Sequence, residues 1–433
     1  MIASPAFRGK RYAVLGLARS GLASVEALVA SGAEVTAWDA REEARSAVAG
    51  KAAIADPLQI DLAGFDGVVV SPGVPLNRHP IAGKAKAAGV PVIGDIELFA
   101  LARASLPPHK VVGITGTNGK STTTALVHHI LKTAGVPTTM GGNIGLPILA
   151  QDPLAPNENG VGVYVLELSS YQIDLTFSLD CDVAVLLNVT PDHLDRYESF
   201  EAYAASKARL FEMQREGGHA YAGVDNGAIP KVAEDWGAIP VKADELDAGL
   251  FGQQSEWPAL QGPHNKKNAA AAQIAAFMTG LVSFGEIREA FRTYRGLPHR
   301  MERIAEKDGI LFVNDSKATN PDSAAPALAA YPHVHWILGG LAKTDDLGPC
   351  ENQLGHVRAA YTIGEAGPMF ARLLEGKVPV TESELLVTAV KDAAEAAAPG
   401  EVVLLSPACA SFDQFRDYEA RGDAFRAAVE ALA

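Results

Sequence analysis

The chain has 433 residues, 48% of them apolar and 20% charged, so it is long enough for two to four domains with separate cores and has none of the composition of a disordered chain. Its 37 basic and 51 acidic residues leave a net charge of −14, which argues against a nucleic-acid surface; any polyphosphate must be held by local structure. Cys181, Cys350 and Cys409 lie far apart and offer neither a disulfide framework nor zinc-ligand spacing, and no apolar run approaches the roughly 18 to 20 residues that span a bilayer, so a cytoplasmic protein without membrane insertion is expected.

Short apolar runs alternate with alanine-rich amphipathic stretches from end to end, the pattern of parallel sheets covered by helices. The fold class is therefore α/β. In the first hundred residues the expected strands are "RYAVLGL", "AEVTAWD", "GVVVSPG" and "VPVIGD", each with ligand-bearing positions at its carboxyl end. The turn "GLARSG", with Gly16 and Ser20, resembles a dinucleotide fingerprint, and Asp39 ends the next strand about twenty residues on. Ala18 replaces the middle glycine, so the turn reads either as a nucleotide or nucleotide-sugar site or as a tight helix-on-sheet connection. Ser71, Pro72 and Gly73 stand at another strand exit lining the same crevice. "RASLPPHK", residues 103 to 110, is a linker.

Next comes "KVVGITGTNGKSTTT". A strand turning through Gly116, Thr117, Asn118 and Gly119 into a helix gathers backbone N–H groups and a positive dipole end at one point, which suits a phosphate. Lys120 would reach the outer phosphates, and Ser121 or Thr122 would offer a hydroxyl to Mg²⁺. Ile114 stands where the usual first glycine belongs, with Gly113 one residue early. Glu167 in "YVLELSSYQ" and His193 in "NVTPDHLD" leave apolar strands in the same region; the carboxylate suits Mg²⁺, and the imidazole suits either metal or substrate. Lys207 in "YAASKARLF" reads by itself as a solvated lysine on a helix.

A helix over "GPHNKKNAAAAQIAAFM" and a boundary near "YRGLPHRME" precede a third alternation, "GILFVND", "VHWILGG", "RAAYTIG" and "EVVLLSP". Arg300 and Lys317 flank Asp315, with Thr319 and Asn320 as neutral donors; cations of this kind either clamp a γ-phosphate or form a surface ion-pair cluster. Late in the chain, "LLSPACASFDQFRDYEARG" turns after a strand and offers Ser411 and backbone N–H groups to a carboxylate.

Taken in order, "GTNGKSTT", "GGNIG", "ELSSYQ", "NVTPDHLDR", "SKARL", "GPHNKKNAAAA", "GLPHR", "NDSKATN" and "LLSPACASFDQF" resemble the Mur ligases of peptidoglycan synthesis. The resemblance implies three domains: a Rossmann-like UDP-binding domain over 1–105, a central P-loop-type ATP-binding domain over 106–297 and a Rossmann-like amino-acid-binding domain over 298–433. It implies an ATP-dependent ligase that phosphorylates the carboxylate of UDP-N-acetylmuramoyl-L-alanine and passes the acyl group to the amine of D-glutamate, acting as a monomer. Gly116 to Thr122, with Asn265, Asn268, Arg300 and Asp315, would hold ATP. Ser121, Glu167, His193 and a carbamoylated Lys207 would serve two Mg²⁺ sites. Gly16, Ser20, Asp39, Arg41, Ser71, Pro72, Gly73, Asn143 and His193 would contact the UDP substrate, while Lys317, Thr319, Lys343, Ser411 and Tyr418 would form the D-glutamate site. Lys120, His193, Lys207, Arg300 and Lys317 would carry the chemistry. Tyr418 departs from the family, where phenylalanine is familiar. A dehydrogenase built on "GLARSG" leaves the second nucleotide loop unexplained, and a silent binding protein leaves Glu167, Lys207 and Arg300 idle.

Overall fold

Strands of two to seven residues, most of them apolar and separated by alanine-rich helices, assemble into three sheets in a computed structural model that describes residues 1–156, 160–192, 196–224, 230–243 and 253–432. The first sheet has β1 (Arg11–Leu15), β2 (Glu34–Trp38), the two-residue β3 (Ala53–Ile54), β4 (Gly67–Val70) and the two-residue β5 (Val92–Ile93), in the order β3-β2-β1-β4-β5 and all parallel. The second has β6 (His109–Thr115), β7 (Thr138–Gly142), β8 (Gly162–Glu167), β9 (Val183–Leu186), β10 (His219–Gly223) and β11 (Ile239–Val241), again all parallel, in the order β11-β10-β9-β6-β8-β7. The third has β12 (Glu302–Lys307), β13 (Ile310–Asn314), β14 (Val334–Gly339), β15 (Val357–Ile363), β16 (Val380–Glu384) and β17 (Val402–Leu405), in the order β12-β13-β17-β14-β15-β16. Edge strand β12 runs antiparallel to β13, an exception to the parallel pattern the sequence suggests.

The chain divides into two compact units, Met1–Leu250 with Ala270–Ala290, and Phe251–Ala269 with Phe291–Ala433. The first carries the first two sheets on one apolar core. Helix Asp95–Ala102 joins them: Ile96, Leu98 and Phe99 are fully buried, and the Phe99 ring meets Tyr164 of β8 edge-on at 5.1 Å. Its Glu97 accepts from the Phe177 and Ser178 amides and the Ser178 hydroxyl, and Gly94 donates to the Leu175 carbonyl. The second unit packs helices on both faces of the third sheet.

In each sheet the central strands are buried and end where polar loops begin: β1 and β4, β6 and β8, β13 and β17. Gly16, Ser71, Gly116 and Asp315 directly follow such strands and Glu167 ends one, the places where open parallel sheets present ligand-facing groups.

Candidate active site

β6 delivers the chain into the loop Gly116–Gly119, and helix Lys120–Thr133 leaves it with Gly119 as its N-cap at φ 84°, a left-handed conformation that glycine adopts without strain. The loop is tied to the exit of β9. Thr117 donates its amide to the Asn188 carbonyl at 2.9 Å, Asn118 donates to Asn188 Oδ1 at 2.8 Å, and Asn188 returns a bond to the Asn118 carbonyl. Lys120 Nζ lies 2.8 Å from the carbonyls of both Gly116 and Thr117. Ser121 is buried in the first helical turn.

Glu167 ends β8 in register with Ile114 of β6. It is 2% exposed; Oε1 accepts from Asn143 Nδ2 at 2.9 Å, whereas Oε2 is buried without a hydrogen-bond partner in the structure. Asn143 also donates its amide to the Glu167 carbonyl at 2.8 Å. A side chain at Gly142 would come within 2.2 Å of that carbonyl, so the "GGN" turn and Glu167 form one tight unit. A buried carboxylate oxygen left without a donor is costly, and a cation or a hydrogen-bond donor at that point would satisfy it.

Lys207 departs from the solvated lysine its helix suggests. On helix Phe200–Glu212 it is 2% exposed, its Nζ donates to the Gly116 carbonyl at 2.9 Å, and it lies 4.5 Å from the centre of the Tyr203 ring. Burial, and then the neighbouring Lys120 charge, bring its amine down to about 7, with Asp192 and Asp174 opposing in part. The hydroxyls of Tyr203 and Thr117 are 3.2 Å apart.

Around β1, β2 and β4 the expected UDP-side residues come together in part. The Gly16 carbonyl accepts from Ser71 Oγ at 2.8 Å, and a side chain at Gly21 would strike that same carbonyl, so helix Arg19–Ala30 starts hard against the turn. Asp39 accepts from the Leu17 amide at 2.8 Å and from the Arg41 amide and guanidinium. Burial would raise its pKa, but the bonds from Arg41 and Leu17 win and hold it at about 2. The Arg19 guanidinium donates to the Gly145 carbonyl of the "GGNIG" loop. Ser20 and Pro72 are partly buried and Gly73 is exposed.

In the second unit, Asn265 and Asn268 lie one turn apart on helix Pro263–Phe277, both buried, with Asn268 Nδ2 donating to Asn265 Oδ1 at 3.1 Å. Asp315 follows β13. It accepts from the Ser406 hydroxyl at 2.9 Å and the Met301 amide at 3.2 Å. Burial pushes its carboxyl up to about 7, against those bonds and the Arg300 charge. Lys317 Nζ sits 3.7 Å above the Tyr418 ring. Ser411 is buried, Thr319 half-buried and Lys343 exposed; the bridge Leu341–Ala410 draws the Lys343 and Ser411 loops together.

Sequence reasoning missed Arg421, which ties this region together. It is 1% exposed on helix Tyr418–Glu430 and donates to Ser316 Oγ at 3.0 Å and to the carbonyls of Ser316, Cys409 and Ala410 at 2.8, 3.0 and 3.3 Å. It thereby holds the loop of Asp315 and Lys317 to the loop of Ser411. Nothing in "DYEARG" separates a buried arginine from a solvated one. His193, expected at the metal, lies outside the described residues.

Three family models match the chain: a Mur ligase MurD-like N-terminal domain over residues 10–94, a Mur ligase middle domain over 114–247, and a Mur ligase glutamate ligase domain over 299–409. Curated relatives named UDP-N-acetylmuramoylalanine–D-glutamate ligase are 66% identical in Novosphingobium aromaticivorans and 60% identical in Sphingopyxis alaskensis, each alignment covering 100% of this chain and 97% and 100% of the relative. Among solved structures, the MurF ligase of Thermotoga maritima in complex with ADP shares the fold at TM-score 0.58 and 16% identity, over 98% of this chain and 96% of that one. The UDP-N-acetylmuramate–alanine ligase MurC of the same organism does so at TM-score 0.56 and 16% identity, over 98% and 99%. With family models along its length and relatives this similar from end to end, the chain belongs to the Mur ligase family.

Proposed function

We propose that the chain is an ATP-dependent ligase that adds D-glutamate to UDP-N-acetylmuramoyl-L-alanine in cytoplasmic peptidoglycan precursor synthesis. The observation that carries this reading is full-length identity of 60–66% to relatives of that name. Its domains run over 1–105, 106–297 and 298–433, and it acts as a monomer. No helix among the described residues is long and apolar enough to cross a membrane.

The reaction needs a carboxylate to approach a triphosphate. Gly116 to Gly119 and the helix start at Lys120 cradle the phosphates of ATP, and Lys120 and Arg300 take up the charge that grows on the transferred phosphoryl group. Asn265, Asn268 and Asp315 hold the nucleoside end. The substrate carboxylate oxygen attacks the γ-phosphorus, ADP leaves, and the amine of D-glutamate displaces phosphate from the acyl phosphate. Gly16, Ser20, Asp39, Arg41, Ser71, Pro72 and Gly73 hold the uridine diphosphate part and Asn143 the muramoyl part, with His193 beside it. Lys317, Thr319, Lys343, Ser411 and Tyr418 bind D-glutamate and orient its amine.

Two Mg²⁺ ions suit these residues. Among the described residues no three His, Cys, Asp or Glu side chains form a metal-binding group. The proposed set instead combines the unpartnered Glu167 Oε2, Ser121, His193 and Lys207. An amine with a pKa of about 7 is substantially neutral at physiological pH, so Lys207 Nζ can add to CO₂, lose a proton and become a carbamate that ligates as a carboxylate does. Mg²⁺ bound there supplies positive charge that lets two anions meet.

Release of phosphate from ATP tests the reading. It is expected only when UDP-N-acetylmuramoyl-L-alanine and D-glutamate are both present, and D-glutamate is expected to outperform its L enantiomer. Release supported by L-alanine or a diamino acid instead would overturn it.

A further inference from the structure

The first unit contains a run of π contacts that the mechanism above leaves unused. Arg196 follows His193 by three residues in the sequence. Its guanidinium lies 4.3 Å from the centre of the Tyr171 ring, while Nη2 donates to the Val74 carbonyl at 3.0 Å and reaches the Pro72 carbonyl at 3.5 Å. Pro72 and Val74 flank exposed Gly73 in the turn after β4, and Ser71 at the head of that turn is bonded to Gly16. A single side chain therefore pins two backbone carbonyls of a segment more than a hundred residues earlier.

Tyr171 is itself well anchored. It sits in helix Ser170–Asp174, whose N-cap Ser169 and Gln172 form a reciprocal capping box. From Tyr171 the contacts continue to Tyr197 at 6.1 Å with rings nearly parallel, from Tyr197 to Tyr203 at 5.3 Å, and from Tyr203 to Lys207. The ladder thus leads from the Ser71–Val74 turn to the lysine beside the nucleotide loop.

We propose that Arg196 is a positioning residue for the UDP-muramoyl substrate, acting through the Ser71–Val74 turn that it fixes against Tyr171. The inference rests on the reading of Ser71, Pro72 and Gly73 as part of that substrate's site. A turn built around an exposed glycine loses much backbone entropy when a ligand orders it. A guanidinium that reaches both carbonyls through Nη2 and lies over an anchored ring bears that ordering before the ligand arrives, so its contribution falls on substrate affinity rather than on the chemical step.

The test compares full-length wild type, R196A, R196K and Y171L, with kcat and KM for each of the three substrates. Calorimetric binding of UDP-N-acetylmuramoyl-L-alanine without ATP gives a readout independent of turnover. R196A is expected to raise the KM and the Kd of the UDP-muramoyl substrate about tenfold, while kcat and the KM values for ATP and D-glutamate change by less than about threefold. Y171L should show the same selectivity, and R196A/Y171L should be no worse than R196A, because both remove one stack. R196K should recover little, since an ammonium can donate to the carbonyls but has no planar face to lay over the Tyr171 ring. Equal rises in all three KM values, loss confined to kcat, or unchanged calorimetric affinity would overturn the proposal; should R196A fail to fold, R196K and Y171L decide on the same criteria. Absence of turnover in wild type would instead strike at the ligase reading, and the calorimetric comparison would still judge Arg196.

Discussion

Among the described residues each unit buries one long cation almost completely, Lys207 in the first and Arg421 in the second, and the two are satisfied very differently. Arg421 distributes its donors over three carbonyls and a hydroxyl, and although burial lowers its pKa to about 10, it stays charged at neutral pH. Lys207 has one carbonyl acceptor among the described residues, a ring face and another cation nearby, and falls to about 7. Burial alone therefore does not decide what a buried cation does. A saturated guanidinium is a fastener, whereas an undersupplied amine is available for chemistry.

The largest expected effect breaks the pair on the chemical side. Lys207→Ala should lower turnover by at least about a hundredfold while the protein stays folded, because in the proposed role the group lost acts chiefly on transition-state charge. A small carboxylic acid added to that variant should restore part of the activity by standing in for the lost ligand. Full activity in Lys207→Ala would falsify the role given to this lysine. The opposite pattern is expected in the other unit. Arg421→Leu should cost about 3 kcal/mol in denaturant unfolding, since it strands buried acceptors, and activity should fall through a raised KM for D-glutamate as the Lys317 and Ser411 loops part. Were Arg421→Leu as stable as wild type, the fastener reading would fail.

The pH dependence of stability sharpens the contrast by sign. Lys207 has a folded pKa of about 7 against an ordinary 10.5, so between those values the unfolded chain holds a proton that the folded chain lacks, and stability rises with pH across that window. In CO₂-free buffer Lys207→Met should thus be more stable than wild type near pH 7 and lose that advantage toward pH 10.5. Asp315 works in the reverse sense. Its folded pKa of about 7 against 3.8 means that the folded chain holds the extra proton, so its contribution declines as pH rises from about 4 to 7, and Asp315→Asn should gain on wild type over that range. Urea titrations at several pH values read both, and slopes of the same sign in the two variants would contradict this account.

The sequence made the central strands and the nucleotide loop plain because both depend on local pattern. Continuous apolar runs such as those of β6, β8, β14 and β17 are buried on both faces, and the glycines around Lys120 mark a turn that needs backbone conformations other residues rarely adopt. Strands β12 and β16 were illegible for the converse reason. "ERIAEK" and "VTESE" are sheet edges with charged residues, so neither shows an apolar run, and β12 pairs antiparallel. Within the site, Glu167 was readable from its place at a strand exit. The burial of Lys207 and Arg421 was not, since it depends on acceptors that the fold brings in from ninety and more residues away, Gly116 for the one and Ser316 for the other.

The smallest expected effect concerns Tyr418, the position where the resemblance to the family leads one to expect phenylalanine. What the structure uses there is the ring face, 3.7 Å below the Lys317 ammonium, and that face is nearly the same in both residues. The phenol oxygen lies at the ring's edge, away from the contact that fixes Lys317. Tyr418→Phe should therefore leave kcat and the KM for D-glutamate within about twofold of wild type, whereas Tyr418→Leu, which keeps apolar bulk but loses the quadrupole, should raise that KM about fivefold with the KM for ATP unmoved. A tenfold loss in Tyr418→Phe would show that the hydroxyl itself touches the amino acid, and the ring face would then be only part of how this position recognises the substrate.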